Sequence, residues 1–389
     1  MTDKEHYFDW AATSPSDEKI LKEALDAVLA DWGNPSSTHK AGKTAKTILE
    51  DARKKAADVL GVKADSIYFT SGGTESDHIA LLSVLNRPQK GRVLISSIEH
   101  PALREMGEQI KKLGWQLELI PADKDGVITP QAVTSLLTSD TYLVCVMAVN
   151  NETGVIQPVK EIASAVKEAC KGRRCPKIHV DCVQAAGKIP FSLKDWDIDS
   201  AAFSAHKICG PRGIGILYVK DTIESFLKGG GQEKGVRSGT ENLFGALAFA
   251  KCLEKYFIRK ENKTAFEAYE TQKKTTEDFV KALSQLKGCT IVPPSRPQKE
   301  GLFSPYVVQA AFNNIPGNVM LRALDSKGFC ISTGSACSSR KNSRPVLEAM
   351  HVSSELRETA VRFSFGPLTS QKAVNDLFEA VKEVNAQFN

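Results

Sequence analysis

The sequence predicts an α/β protein, with a large domain built on a mostly parallel sheet flanked by helices and a smaller α/β C-terminal domain. Three observations carry this. Short apolar runs rich in Val, Ile and Leu alternate with helical patterns from residue 66 to residue 219. Runs that are apolar throughout mark strands buried on both faces, as parallel strands are. At 389 residues the chain is long enough for two domains, and its pattern changes to long helices after Asn242 before Pro293, Pro294 and Pro297 interrupt it. The expected large domain covers residues 14–258. Residues 259–389, with the N-terminal segment 1–13, form the expected small one.

The elements follow in order. Ser14 is expected to cap the first helix, with Pro15 at the first helical position and Asp17 completing a capping box. Ile20, Leu21, Ala24, Leu25 and Val28 then form one apolar face, and Gly33 stops the helix. Expected strands are 66–70, 92–96, 116–120, 142–149, 178–182, 201–204 and 215–219. Helical pattern runs from Asn242 to about Leu286, with a charged break at Arg259–Lys263; Phe279, Leu283 and Leu286 share a face. A strand near Val307–Phe312 and a closing helix Gln371–Val384 complete the small domain.

Composition narrows the function. With 42% hydrophobic and 25% charged residues the chain is globular, neither disordered nor fibrous. A net charge of +5, from 51 basic and 46 acidic residues, gives no case for binding nucleic acid. The longest apolar run, Tyr142–Val149, is far short of the roughly 20 residues a membrane span needs. The N-terminus has no signal core, so a soluble, cytoplasmic protein is expected. The nine cysteines are odd in number and contain no C-x-x-C pair, which argues for reduced thiols and against a disulfide scaffold or zinc site.

Five segments can carry chemistry. Ser71-Gly-Gly-Thr74 follows a strand and opens a helix, which offers backbone N–H groups and the Thr74 hydroxyl to an anion; a plain Gly-rich turn is the equal alternative. Asp181 ends an apolar strand, where open α/β sheets place ligands, although strand-end capping is the commoner use. Cys182, next to it, faces the other way and reads as packing. Lys207 follows a strand and precedes a Gly/Pro loop, flanked by Ser204 and His206; a desolvated amine there can form a Schiff base, the alternative being an exposed loop lysine. The glycines and donors of Gly229–Thr240 suit a phosphate or a subunit contact, or else a mobile surface loop. Finally, Cys337 sits among small polar residues near Arg340, Lys341 and Arg344, which favour thiolate, whereas Cys145 lies inside an apolar run. A Schiff-base lysine, an upstream aspartate and an anion site are together the parts of a pyridoxal phosphate site.

The chain closely resembles the cysteine desulfurases of the NifS/IscS type, within the class V aminotransferases of fold-type I pyridoxal phosphate enzymes. The resemblance rests on ordered motifs covering nearly the whole chain: FDWAATSP, GNPSSTH, FTSGGTESDH, SSIEHPA, VNNETGVIQP, HVDCVQAAGK, FSAHKICGPRGIG, GGGQEKGVRSGTEN, STGSACSS and VRFSFG. It implies pyridoxal 5′-phosphate as cofactor, joined to Lys207, with Asp181 on the pyridine nitrogen and Gln184 on the ring hydroxyl. Gly73, Thr74, Ser204 and His206 would bind the phosphate, and Thr240 would contribute from the other subunit of a homodimer. His100 would stack on the ring, in place of a helix-capping role before Pro101, with Asn151 near ring and substrate. Arg362 would hold the carboxylate of the substrate, L-cysteine, helped by Asn34.

The implied reaction converts L-cysteine to L-alanine. Lys207 removes the α-proton and the Cys337 thiolate takes the sulfur as a persulfide, for an acceptor in iron–sulfur or thio-cofactor and tRNA synthesis. The small domain would carry the Cys337 loop, whose swing delivers the sulfur. The 25 residues from Cys337 to Arg362 match the long-loop branch of the family. Trp10 and the GGTES form depart from its commoner pattern. No resident metal is expected, although Cys337 could transiently ligate an iron–sulfur cluster. The chain stops soon after its last helix, so the tail by which housekeeping members dock a scaffold is expected to be lacking.

Overall fold

Seven strands lie side by side in the order β1-β7-β6-β5-β4-β2-β3. They are β1 (Ile67–Thr70), β2 (Arg92–Ser96), β3 (Gln116–Ile120), β4 (Thr141–Met147), β5 (Lys177–Asp181), β6 (Ser200–Ser204) and β7 (Gly215–Val219). The computed structural model describes residues 4–334 and 344–388. β3, β2, β4, β5 and β6 pair in parallel, whereas β7 runs antiparallel to both β6 and β1. The mostly parallel sheet is therefore as expected, and each strand falls within two residues of its apolar run. β6 and β7 are buried from end to end, β4 at every residue but Tyr142 and β5 at every residue but Lys177. β3 departs: Gln116, Glu118 and Leu119 are exposed, because it is the sheet edge and lacks a neighbour on one side.

Helices α1 (Glu18–Ala30), α2 (Lys40–Leu60), α3 (Gly73–Leu82) and α4 (Pro101–Lys112) pack around the first half of this sheet, joined by helix Leu243–Tyr256. The N-cap of α1 is Asp17, not Ser14. Asp17 Oδ1 accepts from the Ile20 N–H at 3.1 Å. Ser14 is occupied elsewhere: its hydroxyl accepts from the Cys209 N–H at 2.7 Å and donates to the His206 carbonyl at 2.9 Å. The expected apolar face is narrower than its pattern, since Ile20 and Ala24 are buried while Leu25 is 47% exposed. The helix ends at Ala30, before Gly33 is reached.

A second sheet holds β8 (Cys289–Val292), β9 (Val307–Phe312) and β10 (Ala360–Ser364), all antiparallel. Helices Lys263–Ser284 and Gln371–Ala386 cover it, and the first of these begins at the expected charged break. Its core is aromatic: Phe279 meets the edges of Phe363 and Phe365 at centroid distances of 5.5 and 5.8 Å. The N-terminal segment joins this sheet. The Ser364 N–H donates to the Phe8 carbonyl, the Phe8 N–H to the Cys330 carbonyl, and Phe8 is fully buried in the aromatic core. The chain then crosses to the large sheet through residues 9–14, which lie against the Lys207 turn. Among the described residues no helix is long and apolar enough to cross a membrane.

Candidate active site

Five connections leave the same edge of the large sheet. They follow the carboxyl ends of β1, β2, β4, β5 and β6; Gly73, His100, Asn151 and Lys207 lie just beyond the first, second, third and fifth of these ends, and Asp181 is the last residue of β5. Parallel strands all point this way, so a crevice along their carboxyl ends collects loops from distant parts of the chain. Register aligns the floor, with Asp181 beside Met147 of β4 and Ala202 of β6.

Lys207 ends a single 3₁₀ turn directly after β6. Its Nζ donates to the carbonyls of Ala11 and Ala12, each at 2.6 Å. The charge of Lys207 acts on Asp181, His100, His206 and Lys188, so these groups form one cluster around the amine. Asp181 is 5% exposed, and Oδ1 accepts from the Val183 N–H at 2.8 Å. Burial, then the neighbouring Asp77, pushes its carboxyl up to about 8. An acid so placed gains most from a cationic N–H partner.

The Asp181 shift has a measurable consequence. In the ligand-free folded protein the carboxyl keeps its proton to about 8, whereas the unfolded chain loses it near about 3.9. The folded state therefore binds more protons between those limits, and this site's contribution to stability falls as pH rises through them. Urea unfolding of wild type against Asp181→Asn isolates it. The stability of wild type relative to the variant is expected to fall by up to about 1.4 kcal/mol per pH unit. A difference constant with pH would contradict the assignment.

His100 keeps the capping role that the resemblance set aside. It is the N-cap of α4, and Nδ1 accepts from the Ala102 N–H at 3.2 Å. That bond assigns the proton of the neutral ring to Nε2 and fixes the ring plane. Burial, then Lys207, pushes His100 down to about 4, so the ring is neutral at physiological pH. The capping bond and a ring-facing position are compatible uses of one side chain. Just before it, Glu99 Oε1 accepts from the Ser96 hydroxyl and the Met147 N–H, both at 2.5 Å. This ties the α4 entry to β4.

The anion end lies at α3. No side chain caps this helix. A Cβ on Gly73 would come within 2.5 Å of Val183 Cγ2, so only glycine lets the helix start come this close to the segment after Asp181. Thr74 is exposed, Ser204 is buried at the end of β6, and the half-buried His206 meets the Thr13 hydroxyl through Nδ1 at 3.2 Å. Burial, then Lys207, holds His206 down to about 4, so it too is neutral.

At the other side Arg362, 3% exposed on β10, donates from Nη1 to the Asn151 carbonyl at 2.8 Å and the Gly334 carbonyl at 3.2 Å. Its Nη2 pairs with Asp9 Oδ1 at 2.7 Å. Arg362 and Asn151 are thus in contact. Asn34 is exposed in a turn, where its Oδ1 accepts from the Ser36 N–H. Thr240 is exposed too, and its carbonyl accepts from Arg237 at 3.5 Å. Neither makes a described contact with the cluster around Lys207. The loop bearing Thr240 is firmly based, since Glu233 makes a buried two-point pair with Arg53, both contacts at 2.7 Å, and accepts from the Phe69 N–H. Cys337 lies outside the described residues.

Several contributors were invisible as motifs. The Ala11 and Ala12 carbonyls, Asp9 and Lys188 all reach the site. The FDWAATSP and QAAGK stretches contain them, but a backbone carbonyl has no residue-type signal. Beneath Asp181 a buried pair also went unread: His179 Nε2 meets Asp77 Oδ1 at 3.1 Å and Nδ1 meets the Ser200 hydroxyl at 2.8 Å. His179 lies two residues before Asp181 on one face of β5, a spacing that could have drawn attention. Among the described residues no group of three or more His, Cys, Asp or Glu side chains could hold a metal ion.

The family model described as aminotransferase class V matches residues 6–377. The chain belongs to the class-V aminotransferase family. A NifS/IcsS protein homolog from Lactobacillus delbrueckii subsp. bulgaricus is 37% identical to this class-V chain, covering 98% of each. A cysteine desulfurase IscS from Dictyoglomus turgidum is 33% identical, covering 98% of the chain and 94% of that protein. Among solved structures, a NifS-like protein superposes with a TM-score of 0.88 at 34% identity, covering 98% of the chain and all 100% of that one. This class-V member is thus similar to NifS/IscS cysteine desulfurases over nearly its whole length.

Proposed function

We propose that the protein is a pyridoxal 5′-phosphate-dependent cysteine desulfurase, converting L-cysteine to L-alanine and passing the sulfur to Cys337. The observation that carries the reading is the Lys207 amine beside the buried Asp181 carboxyl and the uncapped start of α3. The residues fit the cofactor at both ends. An uncapped helix start with Gly73, Thr74, Ser204 and His206 suits a phosphate. A buried carboxyl that forms no ion pair among the described residues suits a protonated ring nitrogen, and the nearby Lys207 amine suits an aldehyde. Gln184 would meet the ring hydroxyl, and His100 the ring face.

Once bound, the cofactor acts as an electron sink for charge developing at the substrate α-carbon. The chain supplies the rest. Arg362 takes the substrate carboxylate, exchanging the Asp9 carboxylate for it at Nη2 in one charge-assisted pair for another. Lys207 Nζ takes the α-proton, and its two carbonyl partners hold it at the crevice floor. Asn151 stands where its carbonyl aligns Arg362. The thiolate of Cys337 bonds to the substrate sulfur as the carbon–sulfur bond breaks. The sum is L-cysteine plus one thiol giving L-alanine plus one persulfide. Because Thr240 and Asn34 are exposed and apart from Lys207, this reading assigns Thr240 to the site of a second subunit in a homodimer. The persulfide then serves a sulfur-acceptor protein in the cytoplasm, with iron–sulfur or thio-cofactor and tRNA synthesis as its destination.

An aminotransferase would share Lys207 and Asp181, and the two activities separate by assay. The cofactor-loaded protein given L-cysteine and a reductant is expected to release alanine with no 2-oxo acid added. Alanine formed only with an added 2-oxo acid would overturn the proposal.

A further inference from the structure

Lys188 is a buried amine to which the reaction above gives no part. It lies four residues after Gln184 in the turns that follow β5, and it is 4% exposed. Its Nζ donates to Gln184 Oε1. Gln184 is 4% exposed as well, and its Nε2 donates to the Ala11 carbonyl at 2.8 Å, the carbonyl that also receives Lys207. The amide is therefore gripped at both ends. Its oxygen faces an amine, one of its hydrogens faces a carbonyl, and one N–H is left to offer a ligand. Burial, then Lys207 and Arg362, pushes the Lys188 amine well below its ordinary range. Neutral or charged, it retains N–H groups to donate. Lys188 and Lys207 both line a cavity of about 230 Å³ between the two sheets, walled by Trp10, Tyr306 and Phe365.

We propose that Lys188 is a positioning residue, which by donating to Gln184 Oε1 fixes the amide so that its remaining Nε2–H meets the ring oxygen of the cofactor. Without Lys188 the Gln184 oxygen would be buried with no donor, and the side chain would turn or shift to find one. A donor at the ring oxygen favours that oxygen's anionic form, which governs the visible colour of the bound cofactor. The inference rests on the Gln184 contact given under Proposed function.

The test titrates cofactor-free protein with pyridoxal phosphate and reads the dissociation constant and the position of the visible band. Lys188→Met is expected to raise the dissociation constant about tenfold, the scale of one hydrogen bond to a buried polar group, and to move absorbance toward shorter wavelength. Lys188→Arg is expected to restore both, because a guanidinium only donates and the adjoining cavity has room for it. Urea unfolding of the cofactor-free variants accompanies the titration, since a merely structural role would lower stability without moving the band. If Lys188→Met binds with wild-type affinity and an unchanged band while Gln184→Leu loses both, the Lys188 inference fails and the proposed function stands. If wild type itself takes up no cofactor, both fail.

Discussion

Replacing Lys207 by alanine is expected to abolish the visible absorption that pyridoxal phosphate gives on joining the protein. Alanine formation from L-cysteine should fall by about three orders of magnitude or more, the scale of losing a proton-transfer group together with a covalent anchor. The geometry explains why this lysine is decisive. Its amine stands at the carboxyl edge of the sheet, half-buried, and its charge acts on both Asp181 and His100. The rival amine, Lys188, is 4% exposed and bonded to Gln184. Loss of Lys207 should therefore not be covered by its neighbour. The residues proposed to hold the phosphate, Gly73, Thr74, Ser204 and His206, are untouched by the change, so the variant is expected to bind the cofactor without the colour. Absorption spectra before and after dialysis check this, and colour retained by Lys207→Ala would place the linkage elsewhere.

Replacing Cys337 by alanine is expected to leave cofactor colour and cysteine binding intact while persulfide formation falls roughly a hundredfold or more. Of the eight described thiols, five are buried, Cys170 and Cys252 among them. Cys145 and Cys182 are fully buried, and burial pushes both well up. Burial likewise pushes Cys209 and Cys289 up to about 12 and Cys175 up to about 11. Cys330 is also raised by burial, and its carbonyl and N–H are engaged with the N-terminal segment. A nucleophile must reach the thiolate form at working pH, and these environments oppose it. Sulfide release from cysteine and reductant, measured beside alanine, checks the expectation. Wild-type rates from Cys337→Ala would assign the sulfur to another thiol.

How far the sequence could be read follows from what each element depends on. The strands were legible because burial on both faces demands unbroken apolar runs, and β9 and the closing helix were found by the same logic. β3 was found where expected, and its alternation of Leu and Ile with Gln and Glu reflects its place at the sheet edge, where one side meets water. Ser14 and Asp17 are both good caps by residue type. Only the Cys209 N–H and the His206 carbonyl, brought from nearly two hundred positions away, decide that Ser14 serves the lysine turn. Lys207 and Asp181 could be picked out from the sequence as chemically distinctive groups at strand ends, whereas His100 and Arg362 came only with the family resemblance. The Ala11 and Ala12 carbonyls were not legible, because their role depends on where residues 9–14 cross between sheets. Lys188 was overlooked because a lysine in a loop is normally solvated, and nothing local shows that both sheets enclose it.

A single turnover in the absence of any acceptor tests the central claim most directly. Cofactor-loaded protein, reduced and then freed of reductant, is mixed with one equivalent of L-cysteine, and alanine and the sulfur bound at each cysteine-containing peptide are counted. Alanine and one added sulfur atom on the Cys337 peptide are expected in equal amounts. Alanine without added sulfur at Cys337, or sulfur carried by a different cysteine, would contradict it.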